Sequence, residues 1–233
     1  MSCRLPGADS PDAFWKLILD KQASIQFFTE SELLKAGVPL ELINNPDYVP
    51  ARGVLTDADM FDAAFFGYSP YEARITCPQH RIFLEQSWMA LEDAGYISDT
   101  FSGKIGVFAG MNDSTYLYSN LLKNKEFMVD FDQQQMLLAT STHYLATKVA
   151  YAMGLKGPCV TVNNDCSTGL TTIALACESL INFSSDIALA GAITIVTPQE
   201  SGYLYRESGI LSPNGQCAVF DADAKGTVLS NGC

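Results

Sequence analysis

One stretch constrains this chain more than any other: Gly157-Pro158-Cys159-Val160-Thr161-Val162-Asn163-Asn164-Asp165-Cys166-Ser167-Thr168-Gly169-Leu170. Val160 and Val162 alternate with Cys159 and Thr161, and β-branched residues suit a strand. Asn163, Asn164 and Asp165 then signal a tight turn. Beyond it, apolar residues fall at Leu170, Ile173, Ala174, Cys177 and Ile181, the spacing of a helix laid on a sheet. The segment therefore reads as a buried strand, a bend and a helix, with Cys166 at the bend. Ser167 and Thr168 bring hydroxyls to the first turn, where backbone N–H groups lack partners.

Two readings of Cys166 are open at this point. At the positive end of a helix dipole a thiolate is favoured, and the thiolate is the nucleophile. A free cysteine is more often an inert, buried, small apolar residue.

The wider chain narrows the fold. Ile105-Gly106-Val107-Phe108-Ala109-Gly110 reads as a buried strand leading into a loop, and residues 186–196 as a strand buried on both faces of a parallel sheet. Helical patterns lie before and between the strands. Phe83, Leu84, Trp88, Leu91 and Ala94 form one stripe, closed by Gly95. Residues 142–151 form another. Ser10 before Pro11 predicts a capped helix start. Residues 24–60 show no clear period. Residues 111–138 read as a surface loop carrying one or two short helices, and 208–220 as turn-rich. Strands alternating with helices imply an α/β layered fold with a largely parallel sheet.

Composition excludes several functions. A net charge of −12 argues against nucleic-acid binding. No apolar run is long enough for a membrane span, and no signal-type segment opens the chain. Seven cysteines, none in a C-x-x-C pair, fit a reducing cytoplasm better than a disulfide scaffold or a zinc site. His80 and His143 read as ordinary helix residues, and two histidines make no metal site. No G-x-S-x-G elbow, P-loop or G-x-G-x-x-G is present.

Four blocks in order resemble one family. They are Cys3-Arg4-Leu5-Pro6-Gly7-Ala8, the Phe61 to Ala73 stretch, Pro78-Gln79-His80-Arg81 running on to Gly95, and the Val162 to Leu180 segment. Together they resemble β-ketoacyl synthases, most closely the ketosynthase domains of type I polyketide synthases and animal-type fatty acid synthases. The resemblance implies a thiolase-like fold, whose complete domain stacks two similar halves in α-β-α-β-α layers. It spans residues 1–233 and covers the N-terminal half, with the C-terminal half absent. It implies that Cys166 is the catalytic nucleophile and carries the acyl chain as a thioester. It also implies that the Cys166 N–H is one oxyanion donor. The second donor and the two histidines of decarboxylation belong to the missing half.

No directly bound cofactor is implied; substrates arrive on the phosphopantetheine arm of an acyl-carrier protein. Residues 158–163 would pair across a two-fold axis in a homodimer. The expected activity is condensation of the Cys166-bound acyl group with a decarboxylated malonyl thioester, with this chain inactive as a fragment. A non-elongating ketosynthase that only transfers acyl groups, or a silent dimerisation scaffold, are the alternatives. The family usually has Asp at position 77, Gln at position 80 and Ala at position 165; Cys77, His80 and Asp165 depart from it. A carboxylate beside a thiol disfavours the thiolate unless it is paired or turned away.

Overall fold

The computed structural model describes residues 1–98, 100–125, 127 and 132–233. The chain divides into two compact units: Met1–Cys3 with Asp57–Ile195 and Cys233, and Arg4–Thr56 with Val196–Gly232.

The second unit carries helices α1 (Pro11–Leu19), α2 (Glu30–Lys35) and α3 (Leu40–Ile43) and strands β1 (Ile25–Phe27), β2 (Tyr48–Val49) and β3 (Ala51–Gly53). Ser10 caps α1 as read, accepting from the Ala13 N–H at 3.2 Å, with Pro11 opening the helix. A reciprocal capping box between Thr29 and Glu32 starts α2. β1 pairs antiparallel with β3, and β2 with a late strand, β7 (Tyr203–Leu204). Phe28, Leu33, Val38, Tyr48 and Val54 form one core cluster here; Val49, Ala51, Tyr203 and Val228 form another. The turn-rich reading of 208–220 holds, since only an isolated bridge interrupts irregular chain there.

The first unit holds the bend. Its helices are α4 (Pro70–Ile75), α5 (Pro78–Asp93), α6 (Gln133–Thr140), α7 (Leu145–Ala152) and α8 (Thr168–Ile181). Its strands are β4 (Ile105–Met111), β5 (Cys159–Thr161) and β6 (Ile187–Ile193). Ser69 and Glu72 box the start of α4, Pro78 opens α5, and Gly95 follows α5 at φ +76°. The expected helix over 142–151 is a 3₁₀ turn at Thr142–Tyr144 running into α7. Within 111–138 the structure shows a π turn at Leu117–Leu121 and the start of α6; Glu126 and residues 128–131 lie outside the described residues.

The sheet is parallel, in the order β5-β4-β6. β4 is central and buried along its whole length. A Cβ at Gly191 would stand 3.2 Å from Phe83 of α5, whereas one at Gly169 of α8 would stand 3.8 Å from Ala192. Neighbouring residues of β6 thus meet different helices, so α5 and α8 cover opposite faces.

Three expectations are corrected. β5 is not a buried strand but a short edge strand, with Val160 exposed and its neighbours half-buried. β6 is also an edge; only Ile193 of it is buried, not both faces of a continuous strand. The α8 stripe is reversed. Thr168, Thr172, Ala176 and Ser179 are buried, while Leu170 is 75% exposed, Ile173 51% and Ile181 73%. Small side chains let α8 lie close on the glycine- and alanine-rich faces of β4 and β6, so volume rather than hydropathy selects the inward side.

Candidate active site

Cys166 lies just beyond the C-terminal end of β5, in a 3₁₀ turn over Asp165–Ser167 that runs directly into α8. In an open parallel sheet this is the side on which ligands meet the chain. The thiol is exposed and outside any disulfide, not buried.

The bend is held by its own side chains. The Asn164 N–H donates to Thr168 Oγ1 at 2.8 Å. Asn164 Nδ2 donates to Ser167 Oγ at 2.6 Å and to Thr171 Oγ1 at 3.2 Å. Ser167 Oγ donates back to the Asn164 carbonyl at 2.9 Å, and Thr171 Oγ1 to the Ser167 carbonyl at 3.0 Å. The hydroxyls of Ser167 and Thr168 therefore close the loop rather than cap the first-turn N–H groups as expected, and α8 has no side-chain cap. Local bonding of this kind is an alternative to helix that Asn, Ser and Thr readily take.

Asp165 sits at φ +44°, in the left-handed region, and is exposed. Its N–H donates to Asn163 Oδ1 at 3.3 Å. Asp tolerates this backbone better than Ala does, because a short polar side chain can bond locally. The departure at position 165 thus matches the geometry the bend demands.

Two residues outside the motif set the bend against the sheet. A Cβ at Gly110, near the end of β4, would collide with Thr168 Cγ2 and the Val162 carbonyl. Only glycine lets β4, the end of β5 and the start of α8 meet this closely. Gln79, fully buried in α5, donates from Nε2 to the Asn112 carbonyl at 3.0 Å and accepts from the Ile195 N–H at 3.0 Å. One carboxamide thereby ties the chain leaving β4 to the chain leaving β6. Sequence reading missed Asn164, Gly110 and Gln79 in these roles. The lone glycine in a strand was a readable signal for Gly110, and the Asn-x-x-Ser spacing for Asn164; nothing local marks Gln79.

The histidines are packed differently from each other. His80 Nε2 lies 3.0 Å from the Ser141 carbonyl, and Nδ1 is buried without a partner among the described residues. Burial, with the nearby Lys148 charge, pushes its pKa down to about 3, so the ring is neutral near pH 7. His143 is exposed in the 3₁₀ turn, and its carbonyl accepts from Thr161 Oγ1 at 3.2 Å. Among the described residues no group of three or more His, Cys, Asp or Glu could hold a metal ion, and no helix is long and apolar enough to cross a membrane.

Residues 1–233 match the family described as "Beta-ketoacyl synthase, N-terminal domain". The chain belongs to the β-ketoacyl synthase family. Among its relatives, one of the phenolphthiocerol/phthiocerol polyketide synthase proteins of Mycobacterium tuberculosis is 38% identical over 238 residues, covering all of this chain and 16% of that protein. The polyketide synthase PksN of Bacillus subtilis is 34% identical over 232 residues, all of this chain and 4% of that protein. The crystal structure of ketosynthase twelve from the bacillaene polyketide synthase of Bacillus amyloliquefaciens superposes with a TM-score of 0.87 at 35% identity, covering 99% of this chain and 40% of that one. The fold is therefore that of thiolase-like ketosynthases, in its N-terminal part. The chain spans about a sixth or less of these two curated relatives.

Proposed function

We propose that this chain is the nucleophile-bearing part of a polyketide-type ketosynthase, with Cys166 as the acyl acceptor. One observation carries the reading: a free, exposed thiol at a strand-to-helix bend, immediately before the N-terminus of a 14-residue helix.

The chemistry follows from that placement. The Cys166 sulfur attacks the carbonyl of an acyl thioester borne on the phosphopantetheine arm of an acyl-carrier protein. A new C–S bond forms, and the carbonyl oxygen becomes an oxyanion. The arm's sulfur then leaves, and takes up the proton that Cys166 gave up. The Cys166 N–H, which no acceptor engages among the described residues, is suited to donate to that oxyanion. Helix α8 adds its positive end to the same locus.

Condensation of the bound acyl group with a decarboxylated malonyl thioester needs groups that neither His80 nor His143 supplies in this reading. A longer ketosynthase domain would bring them, in keeping with the 40% share of the solved ketosynthase that this chain covers. Homodimerisation through residues 158–163 is consistent with β5 lying at the sheet edge, with one side open to a further strand.

The test is intact-mass and peptide spectrometry after incubation with acyl-carrier thioesters. A single acyl adduct on Cys166, lost in Cys166→Ala, is expected. An adduct on another cysteine, or none, would overturn the assignment. Release of β-ketoacyl product by these 233 residues alone would overturn the division of labour.

A further inference from the structure

A second feature of the first unit has no part in that chemistry. A cavity of about 430 Å³ opens between α4, α6, α7 and the loop at Phe66–Tyr68. Its size is that of a small-molecule site. Ile75, Leu138 and Ala139 line it with apolar surface, and its polar lining includes Lys148 from α7 and Tyr68 from the loop.

Both donors lack an acceptor among the described residues. Lys148 is half-buried, and burial lowers its pKa. Two groups could balance its charge, and neither does so by contact. Glu72 lines the cavity, yet its Oε2 accepts from the Ser69 N–H at 2.9 Å in the α4 capping box. Cys77 is fully buried, and burial raises its pKa, which keeps the thiol neutral. Burial likewise raises the pKa of Tyr68, so its hydroxyl remains a donor. An ammonium and a phenol thus line a hollow of mixed, mostly apolar surface with hydrogen bonds still to give.

We propose that this cavity binds a small amphipathic carboxylate, its head on Lys148 and Tyr68 and its apolar body against Ile75 and Leu138. A carboxylate accepts from both donors at once, and charge-assisted bonds are the strong ones. By linkage, the bound anion returns to Lys148 the proton affinity that burial removes. A neutral ligand of the same shape gains neither effect.

Octanoate and 1-octanol serve as probes, titrated calorimetrically into the full chain with Cys166 carboxamidomethylated beforehand, so that acyl-acceptor chemistry cannot contribute. Octanoate should bind one-to-one and roughly tenfold or more tighter than 1-octanol. Lys148→Met should remove that preference, and Lys148→Arg should keep it. Leu138→Trp, which fills the cavity and leaves Lys148 in place, should block binding and decides the matter if Lys148→Met does not fold. Equal binding of acid and alcohol, an unaltered preference in Lys148→Met, binding undiminished in Leu138→Trp, or no saturable binding would each overturn the proposal. None of these results bears on acylation of Cys166.

Discussion

Replacing Gly110 by Ala probes the bend from the sheet side. The new methyl would meet two things: the Val162 carbonyl, which is backbone, and Cγ2 of Thr168. Thr168 cannot simply rotate away, because its Oγ1 holds the Asn164 N–H at 2.8 Å. Overpacking of a tight core costs about 1–3 kcal/mol, and loss of the Thr168 hydrogen bond about 1 kcal/mol more. The expected destabilisation is about 2–4 kcal/mol, or a fall in midpoint of roughly 5–15 °C for a chain of this length. Urea and thermal unfolding followed by circular dichroism read it. Thr168→Ser removes Cγ2 and keeps the hydroxyl, so the double variant should recover part of the loss, a coupling of at least about 0.5 kcal/mol. The rate of Cys166 alkylation by iodoacetamide should also change in Gly110→Ala, since the start of α8 must shift. A Gly110→Ala protein within about 0.5 kcal/mol of the parent, or additive effects in the double variant, would refute this account.

Three further outcomes follow from the packing. His80 has a folded pKa of about 3 against an ordinary 6.5, so below pH 6.5 the unfolded chain binds a proton that the folded one refuses, and stability falls on acidification. His80→Gln should remove about 3 kcal/mol of the loss between pH 7 and pH 4, measured as the difference between the two proteins' unfolding free energies at each pH. Gln79→Ala should cost about 2–4 kcal/mol and sharply speed hydrogen exchange at the Ile195 amide, whose acceptor it removes. Leu170→Ser should change stability by no more than about 0.5 kcal/mol, whereas Thr172→Leu should cost about 1–3 kcal/mol, because Leu170 faces outward and Thr172 is fully buried.

Much of the fold was legible because it is written locally. The cap at Ser10, the stop at Gly95, the fully apolar run of β4 and the strand-bend-helix around Cys166 each follow from a few adjacent residues. What misled was hydropathy used as a compass. The apolar stripe of α8 points outward, and the inward face carries Thr168, Thr172, Ala176 and Ser179, chosen for small volume against β4 and β6. The positions of β5 and β6 at the sheet edges depend on strand order, which no single strand encodes. Residues 24–60 stayed unread because two- and three-residue strands are too short to show a period. The thiol itself was found from its motif, whereas Gln79 works through partners 33 and 116 positions away.

The ring of bonds among Asn164, Ser167, Thr168 and Thr171 spans at most seven positions of chain. Closing so small a loop costs little entropy, so this perch can take shape early, before distant segments have docked. Drift elsewhere in the molecule can remodel what surrounds the sulfur while leaving the pedestal beneath it unchanged.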